Sequence, residues 1–453
     1  MSCKLRAASA AAIAVLVLPS SHALTLAEAF DAARANDSQY RAALHERNGV
    51  RLGVPIARAS LLPQVGFSMS TSEVGGTRSF PNSLSQDVSV RVDYNAPASS
   101  LSVRAPVLNF EGLFRLQQAQ AQTASAEQTY RARGLALVDR LSTAYVQALL
   151  VRAAMALTER EVAATQAQYA RAQQRQLRGE GTRTEVAQTL AALEQARFRQ
   201  LDVRDQLGVS MSKLRNITGQ ELAWMHELPT DFRPSPMRPA TLAEWQDIAA
   251  DESPSIQARR ENVEITRAGV KRSFAGHLPR VDVVASVTRN KNESLNNLNQ
   301  SSALTSIGVQ LQVPIFSGFG IDAAVQQART QQAQSEEELR TERENVSLEI
   351  ERFYFAVLHG ASRIEAAARV VEANETALTG VSRSLDAGLA TGVDVLDARA
   401  RLFSAQRDAA QARYDYLAAR MRLMAQAGLP MQSVVDDLDR ILAMKTEIGL
   451  GKP

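Results

Sequence analysis

The sequence predicts a mainly α protein with a β-barrel contribution: two copies of a long antiparallel coiled-coil hairpin plus four transmembrane β-strands per protomer. Three observations predict it. The chain repeats itself, each half holds a very long heptad seam, and between the helices the hydrophobic period drops from 3.5 to 2.

The chain opens with Lys4 and Arg6, the apolar run Ala7 to Leu18, and then Ser21-His22-Ala23, the pattern of a signal peptide over 1–23 cut after Ala23. The apolar run is about half the length of a membrane-spanning helix, too short for a permanent anchor. Cys3, the single cysteine, precedes that run, so the mature chain is thiol-free, without a disulfide or a lipid-modified cysteine after the leader. Against 48 acidic residues stand 51 basic ones, and losing Lys4 and Arg6 takes the net charge from +3 to +1. So balanced a chain gives no reason to expect nucleic acid as a partner.

Thr25-Leu26-Ala27-Glu28 recurs as Thr241-Leu242-Ala243-Glu244, and Leu62-Pro63 as Leu278-Pro279. Further on, Gly179, Thr182, Leu193 and Gly219 recur as Gly388, Thr391, Leu402 and Gly428. The chain therefore divides into a first repeat, 24–219, a linker, 220–240, a second repeat, 241–428, and a tail, 429–453. In the tail, Val434, Val435, Leu438, Ile441 and Leu442 make an amphipathic turn or two, expected to pack near the waist of the molecule.

Each half holds one very long helix. In the second, Val346, Ile350, Phe353, Val357, Gly360, Ile364, Ala367, Val371, Asn374, Leu378, Val381 and Leu385 are spaced four and three in turn, a seam of more than five heptads. Leu137, Leu141, Ala144, Ala148, Val151, Met155, Thr158, Val162, Thr165 and Tyr169 form the weaker counterpart. A helix from Glu111 to Arg178 would be roughly 100 Å long and cannot bury its seam alone. The returning helix of the second half alternates large residues with alanine, as at Val395, Ala398, Leu402 and Ala405, which lets neighbours approach closely.

Period-2 segments precede the long helices. Val65, Phe67 and Met69 alternate with Gly66, Ser68 and Ser70, and Leu101, Val103 and Ala105 with Ser102, Arg104 and Pro106. In the second half Val281, Val283, Ala285 and Val287, then Ile307, Val309, Leu311 and Val313, alternate with mostly polar residues. Strands are expected at about 64–72, 100–109, 281–289 and 305–314, with the Ser-, Asn- and Gly-rich stretches between the members of each pair as exposed loops. Pro63 and Pro279 precede the first strands; Pro106 and Pro314 are expected to end the second. Four strands cannot close a barrel, for which about eight is a practical minimum, so several copies must share it, and three would supply twelve strands.

At this point the chain resembles the TolC family of outer-membrane channel-tunnels. The likeness rests on LLPQVGF at Leu61 to Phe67, LRNITG at Leu214 to Gly219, GHLP at Gly276 to Pro279, VPIFSG at Val313 to Gly318, DVLDA at Asp394 to Ala398 and ARYDYL at Ala412 to Leu417, and it spans nearly all of the mature chain. It implies a homotrimer in the cell outer membrane, in contact with its lipid, with an α-helical tunnel across the periplasm. It further implies an aperture at the helix tips, where an inner-membrane ABC or RND-type transporter and its periplasmic adaptor dock.

Asp394 and Asp397 are three residues apart on one helix face, so a trimer would gather up to six carboxylates at one constriction, a ring that attracts cations. In the family the matching positions form the aperture ring, a role the resemblance carries to Asp394 and Asp397. Thr391-x-x-Asp394 and Thr182-x-x-Glu185 also fit helix-start capping boxes after Gly388 and Gly179, a reading that stays open for Asp394. Where the family closes its aperture with a tyrosine and an arginine, this chain has Leu385 and Ala390. Glu185, on the other tip, is a third candidate for the cation-selective ring; Arg183 and Glu185 are also the candidates to replace that lock, with Thr391, Gly388 and Gly179 as further possible gate contacts.

No enzyme is legible. His45, His226, His277 and His359 stand at no metal-ligand spacing, Gly318-Phe319-Gly320 lacks the rest of a dinucleotide fingerprint, and no serine sits in a nucleophile elbow. Neither cofactor nor metal is expected. The functional expectation is an exit duct for type I protein secretion or efflux; the alternatives are an outlet for multidrug efflux only, or a periplasmic coiled-coil adaptor without a pore.

Overall fold

The computed structural model describes residues 26–81, 84–220, 228, 232–292 and 300–443. The expected leader, residues 221–227 and 229–231 of the 220–240 linker and the tail beyond 443 lie outside them. Four strands, β1 (Gln64–Pro81), β2 (Asp87–Leu108), β3 (Arg280–Asn292) and β4 (Gln300–Gln312), form one antiparallel sheet in sequence order, leaving β1 and β4 as open edges.

The register puts Val65, Val103, Ala285 and Ile307 in one lateral row and Phe67, Leu101, Val287 and Thr305 in the next. The other face carries Gly66, Ser102, Ser286 and Ser306. Phe67, Met69, Ile307 and Val309 are 70 % to 81 % exposed, so among the described residues nothing shelters this part of the apolar face. One face is apolar and the other polar.

The first hairpin differs from the expected short strands. Where 71–100 reads as a polar loop, β1 runs on to Pro81 and β2 starts at Asp87, paired without a break from Gln64↔Arg104 to Pro81↔Asp87. Composition misleads there. Val88, Val90, Val92 and Tyr94 alternate with Ser89, Arg91, Asp93 and Asn95, a period-2 pattern of β-formers that outweighs the surrounding serines and glycines. Pro97 lies one residue beyond the last β2–β3 pair, Ala98↔Asn290, where a missing donor costs least. Pro106 does not end β2 either; it sits at a bulge between Pro106 and Leu108. In the second pair β4 starts at Gln300, ahead of 305, and stops at Gln312.

The first repeat supplies α1 (Leu26–Asn36), α2 (Ser38–Arg51), α3 (Gly53–Ala59), α4 (Phe110–Leu177) and α5 (Arg183–Thr218). The second supplies α6 (Leu242–Glu252), α7 (Pro254–Phe274), α8 (Gly320–Asp386) and α9 (Gly392–Gln426), and α10 (Met431–Ala443) follows. At 68 and 67 residues, α4 and α8 are each about 100 Å long. The other columns come in pieces: α2, α3 and α5 pack along α4, while α7 and α9 pack along both α4 and α8. The column of α4 is therefore inside the protomer, and α8 and the α2–α3–α5 column are its edges.

Burial follows much of the seam, with Ala144, Met155, Val162 and Tyr169 of α4 only half-covered. Leu137, Leu141, Ala148, Val151, Thr158 and Thr165 of α4 are buried, as are Val346, Ile350, Val357, Gly360 and Ile364 of α8. Toward the tip, Ala367, Val371, Asn374, Leu378, Val381 and Leu385 are only half covered, because a single protomer gives this end of α8 one partner helix, α9. α4 is long and apolar enough to cross a membrane by composition, yet it is packed among helices of its own chain.

The two repeats close on each other at the waist, where Phe30, Trp245, Ile256, Tyr145, Tyr416, Leu417, Val434, Val435 and Leu438 form the core. Arg420 of α9 holds Asp437 of α10 through two hydrogen bonds of 2.7 and 3.1 Å. The Asp439 carboxylate accepts from the Leu26 and Ala27 amides at 2.8 and 2.9 Å, so α10 caps the first turn of α1. Asp439→Ala leaves those donors without the carboxylate and is expected to cost about 1 kcal/mol. A lower unfolding midpoint in a detergent melt checks it, and an unchanged midpoint contradicts the cap.

Candidate functional site

Both helical hairpins turn over in the same way at the end of the rod farthest from the sheet. α4 ends with Gly179 at φ +78°, its amide donating to the Gln176 carbonyl (2.9 Å) and the Glu180 amide to the Arg175 carbonyl (2.9 Å). α8 ends with Gly388 at φ +76° and the matching bonds Gly388 to Leu385 (3.0 Å) and Leu389 to Ser384 (2.8 Å). This pair of bonds around a left-handed residue is a Schellman turn, which favours glycine because it has no Cβ. A threonine then starts each returning helix: the Thr182 hydroxyl accepts from the Glu185 amide at 3.1 Å and the Thr391 hydroxyl from the Asp394 amide at 3.3 Å.

At the second tip the cap is reciprocal. One Asp394 oxygen accepts from the Thr391 amide and the Thr391 hydroxyl, both at 2.7 Å. Those bonds, the backbone one first, hold the Asp394 carboxyl below the usual carboxylate range. The capping-box reading of Asp394 is therefore part of the geometry, and it leaves the second carboxylate oxygen free. Asp397 stands one turn on; both carboxylates are exposed, beside the buried stripe of Val395, Ala398 and Leu402.

The first tip is built differently. Glu185 is mostly buried and pairs with Arg175 of α4 at 3.3 Å. Its Oε1 is 2.6 Å from where a Cβ on Gly392 would lie, so the carboxylate of one hairpin rests against the first turn of the other. Only glycine leaves it that space. Arg183 is exposed, and among the described residues no hydrogen bond or ion pair holds it. Of the sequence-picked residues, the protomer thus gathers Glu185 and the start of α9 and leaves Arg183 and Asp397 pointing to solvent.

Two partners escaped the sequence. Arg175 lies in a Gln- and Arg-rich run that reads as a solvated face, and Arg399 reads as one more surface charge. Arg399 donates to the Ala164 carbonyl across α9 and α4 at 3.0 Å, and burial, then the nearby Arg171, pushes its pKa down. Higher on α4, the buried Glu161 pairs with Arg199 of α5. A polar seam toward the tip is the one signal that could have marked these contacts.

A four-stranded amphipathic sheet with open edges, set on a rod about 100 Å long with carboxylates at its far tip, defines the protomer of an outer-membrane duct. The chain belongs to the outer membrane efflux protein family, whose model matches residues 29–220 and 245–429. It is 30% identical over 434 residues to the alkaline protease secretion protein AprF of Pseudomonas aeruginosa, covering 94% of this chain and 88% of that one. It is 29% identical over 412 residues to the proteases secretion protein PrtF of Dickeya chrysanthemi, covering 90% and 89%. The fold is also that of the outer membrane protein VceC from Vibrio cholerae, with a TM-score of 0.76 at 18% identity over 90% of this chain and 96% of that one. The protein is an outer-membrane exit duct of the TolC type and a transport component, not an enzyme.

Proposed function

We propose that three copies form the duct and that it serves as the outer-membrane exit of a type I protein-secretion system, opened when an inner-membrane ABC transporter and its periplasmic adaptor dock at the tips. The observation that carries the ring is the match between the protomer's two edges. On α5, Phe198, Leu201 and Val209 are 73 %, 60 % and 56 % exposed; on α8, Val370 and Leu358 are 51 % and 45 % exposed. At 1.5 Å per residue Phe198 and Val370 both lie about 23 Å from the tip, and Val209 and Leu358 both about 40 Å. Apolar residues at equal heights on opposite edges suit a head-to-tail contact that closes into a ring. The same ring pairs β1 of one copy with β4 of the next and turns the apolar sheet face to lipid.

Protein cargo is favoured over small drugs because AprF and PrtF are named for protease secretion. Deleting the gene tests this: a protein should vanish from the culture medium and return on complementation, with drug susceptibility little changed. Unaltered secretion with raised drug susceptibility would make the protein a multidrug outlet instead.

At the closed aperture, Asp394 and Asp397 of three copies form the cation ring, while Arg183 reaches from the first tip to a neighbouring copy in place of the lock that Leu385 and Ala390 cannot make. Glu185, already engaged by Arg175, keeps the two tips of one copy together. Arg183→Ala is expected to raise single-channel conductance in planar bilayers. Unchanged conductance removes Arg183 from the lock.

A further inference from the structure

The first β-hairpin changes sides partway up. In its lower part the apolar pairs are Val65↔Val103 and Phe67↔Leu101, with Met69 above them, while Gly66↔Ser102, Ser68↔Ser100 and Ser70↔Ala98 occupy the other face. Above Thr71 the two faces exchange character. The face that was serine and glycine becomes Val74↔Tyr94, Gly76↔Val92, Arg78↔Val90 and Phe80↔Val88. The face that was apolar becomes Glu73↔Asn95, Gly75↔Asp93, Thr77↔Arg91 and Ser79↔Ser89. The pairing shows no register shift between Gln64↔Arg104 and Pro81↔Asp87, so the exchange lies in the sequence and not in a bulge.

The outer side loses its apolar residues where it would leave the hydrocarbon, which the membrane alone explains. The inner side gains them at the same level, where a water-filled lumen gives no reason for them. Among the described residues, no third strand pairs with the ribbon beyond Ala98↔Asn290. Burial follows the same split, Val90 at 44 % exposed excepted: Val74, Phe80, Val88, Val92 and Tyr94 are half-covered, while Glu73, Thr77, Ser79, Ser89, Arg91 and Asp93 are exposed. Arg78 is the one charge on the apolar face, and its stem can lie on that face with the guanidinium at the rim.

We propose that this upper face is an interaction surface for the same ribbon of the other two copies: above the outer leaflet the three hairpins pack Phe80, Val88, Val90, Val92 and Tyr94 against one another over the channel axis and make an apolar outer constriction. The proposal rests on the trimeric reading, since copies around an axis bring this face of each ribbon toward the other two. The constriction is separate from the carboxylate ring, at the opposite end of the molecule, and parts when cargo passes.

The thiol-free mature chain allows a direct test. Val92→Cys and Arg91→Cys place a thiol on opposite faces of the same ribbon, one residue apart. Copper-phenanthroline oxidation of intact cells, followed by denaturing electrophoresis, should give covalent dimers from V92C and none from R91C. In bilayers, the triple variant Val88→Ser, Val90→Ser, Val92→Ser should raise potassium conductance about twofold, because an apolar ring that resists wetting becomes polar. Equal cross-linking from both faces, or none from either, in a protein that still migrates as a heat-sensitive trimer would overturn the constriction and leave the trimer standing. Absence of that trimer from the unsubstituted protein would overturn both.

Discussion

Gly428→Ala is expected to deplete the protein from the outer membrane more than any other glycine-to-alanine change at a helix end. Gly428 follows α9 at φ +83°, and an added Cβ would lie 2.4 Å from the Glu252 carbonyl oxygen and 2.8 Å from the Ser253 amide nitrogen. Those are backbone atoms at the junction of α6 and α7, where the waist closes, and they have no rotamer to escape into. The left-handed conformation alone costs a residue with a Cβ about 1–2 kcal/mol, and the overlap should bring the total to about 3 kcal/mol or more. Its repeat-mate Gly219, at φ +72°, faces only the side chain of Asn36, whose amide donates to the Asn216 and Ile217 carbonyls at 3.2 and 3.3 Å. Gly388 meets nothing within 4 Å. The expected order of damage is Gly428, then Gly219, then Gly388, read as trimer yield and melting midpoint. Equal tolerance at all three would mean that the waist is not closed as described.

The second large effect concerns the tip. Asp394→Asn with Asp397→Asn should sharply weaken block of the channel by a trivalent cation such as hexamminecobalt. Two unit charges 4 Å apart in water interact by about 1 kcal/mol, and a trivalent ion inside a ring of carboxylates makes several such pairs, so the double change should weaken block on the order of 100-fold. Taken singly, Asp397→Asn should weaken block more, because one Asp394 oxygen is already spent on Thr391, whereas Asp394→Asn should also loosen the start of α9. The pH dependence has a definite sign. The cap lowers the Asp394 pKa, so its stabilisation is present above the unfolded value and is lost as pH falls through the lowered folded one. Block should likewise persist below the usual aspartate range. Bilayer titrations with the blocker on the tip side read both, and block of equal strength in the double variant would place the aperture elsewhere.

The long helices were legible because a seam spaced four and three from Val346 to Leu385 has no other physical reading, and the tip turns because Gly179 and Gly388 recur with their threonines. The apolar rows of the sheet were legible for the same reason: alternation is a direct record of which face is apolar. The upper part of the first hairpin was not, since its serines and glycines imitate a loop while its paired valines are unremarkable until the register is known. The tip contacts were the least legible. Glu185 meets Arg175 within its own hairpin but Gly392 across some two hundred residues of chain, and Glu161 and Gln168 occupy buried positions where a seam should be apolar. Polar residues along a seam signal that something pairs there, but which residue answers them is not legible until the helices are placed.

Central to the whole account is that one chain is a third of a wall. The mass of the assembly extracted from outer membranes in mild detergent, measured by light scattering with the detergent subtracted, tests this most directly. The account predicts three chains, in a particle that conducts ions when returned to a bilayer. A single chain released without detergent, carrying no conductance, would contradict it.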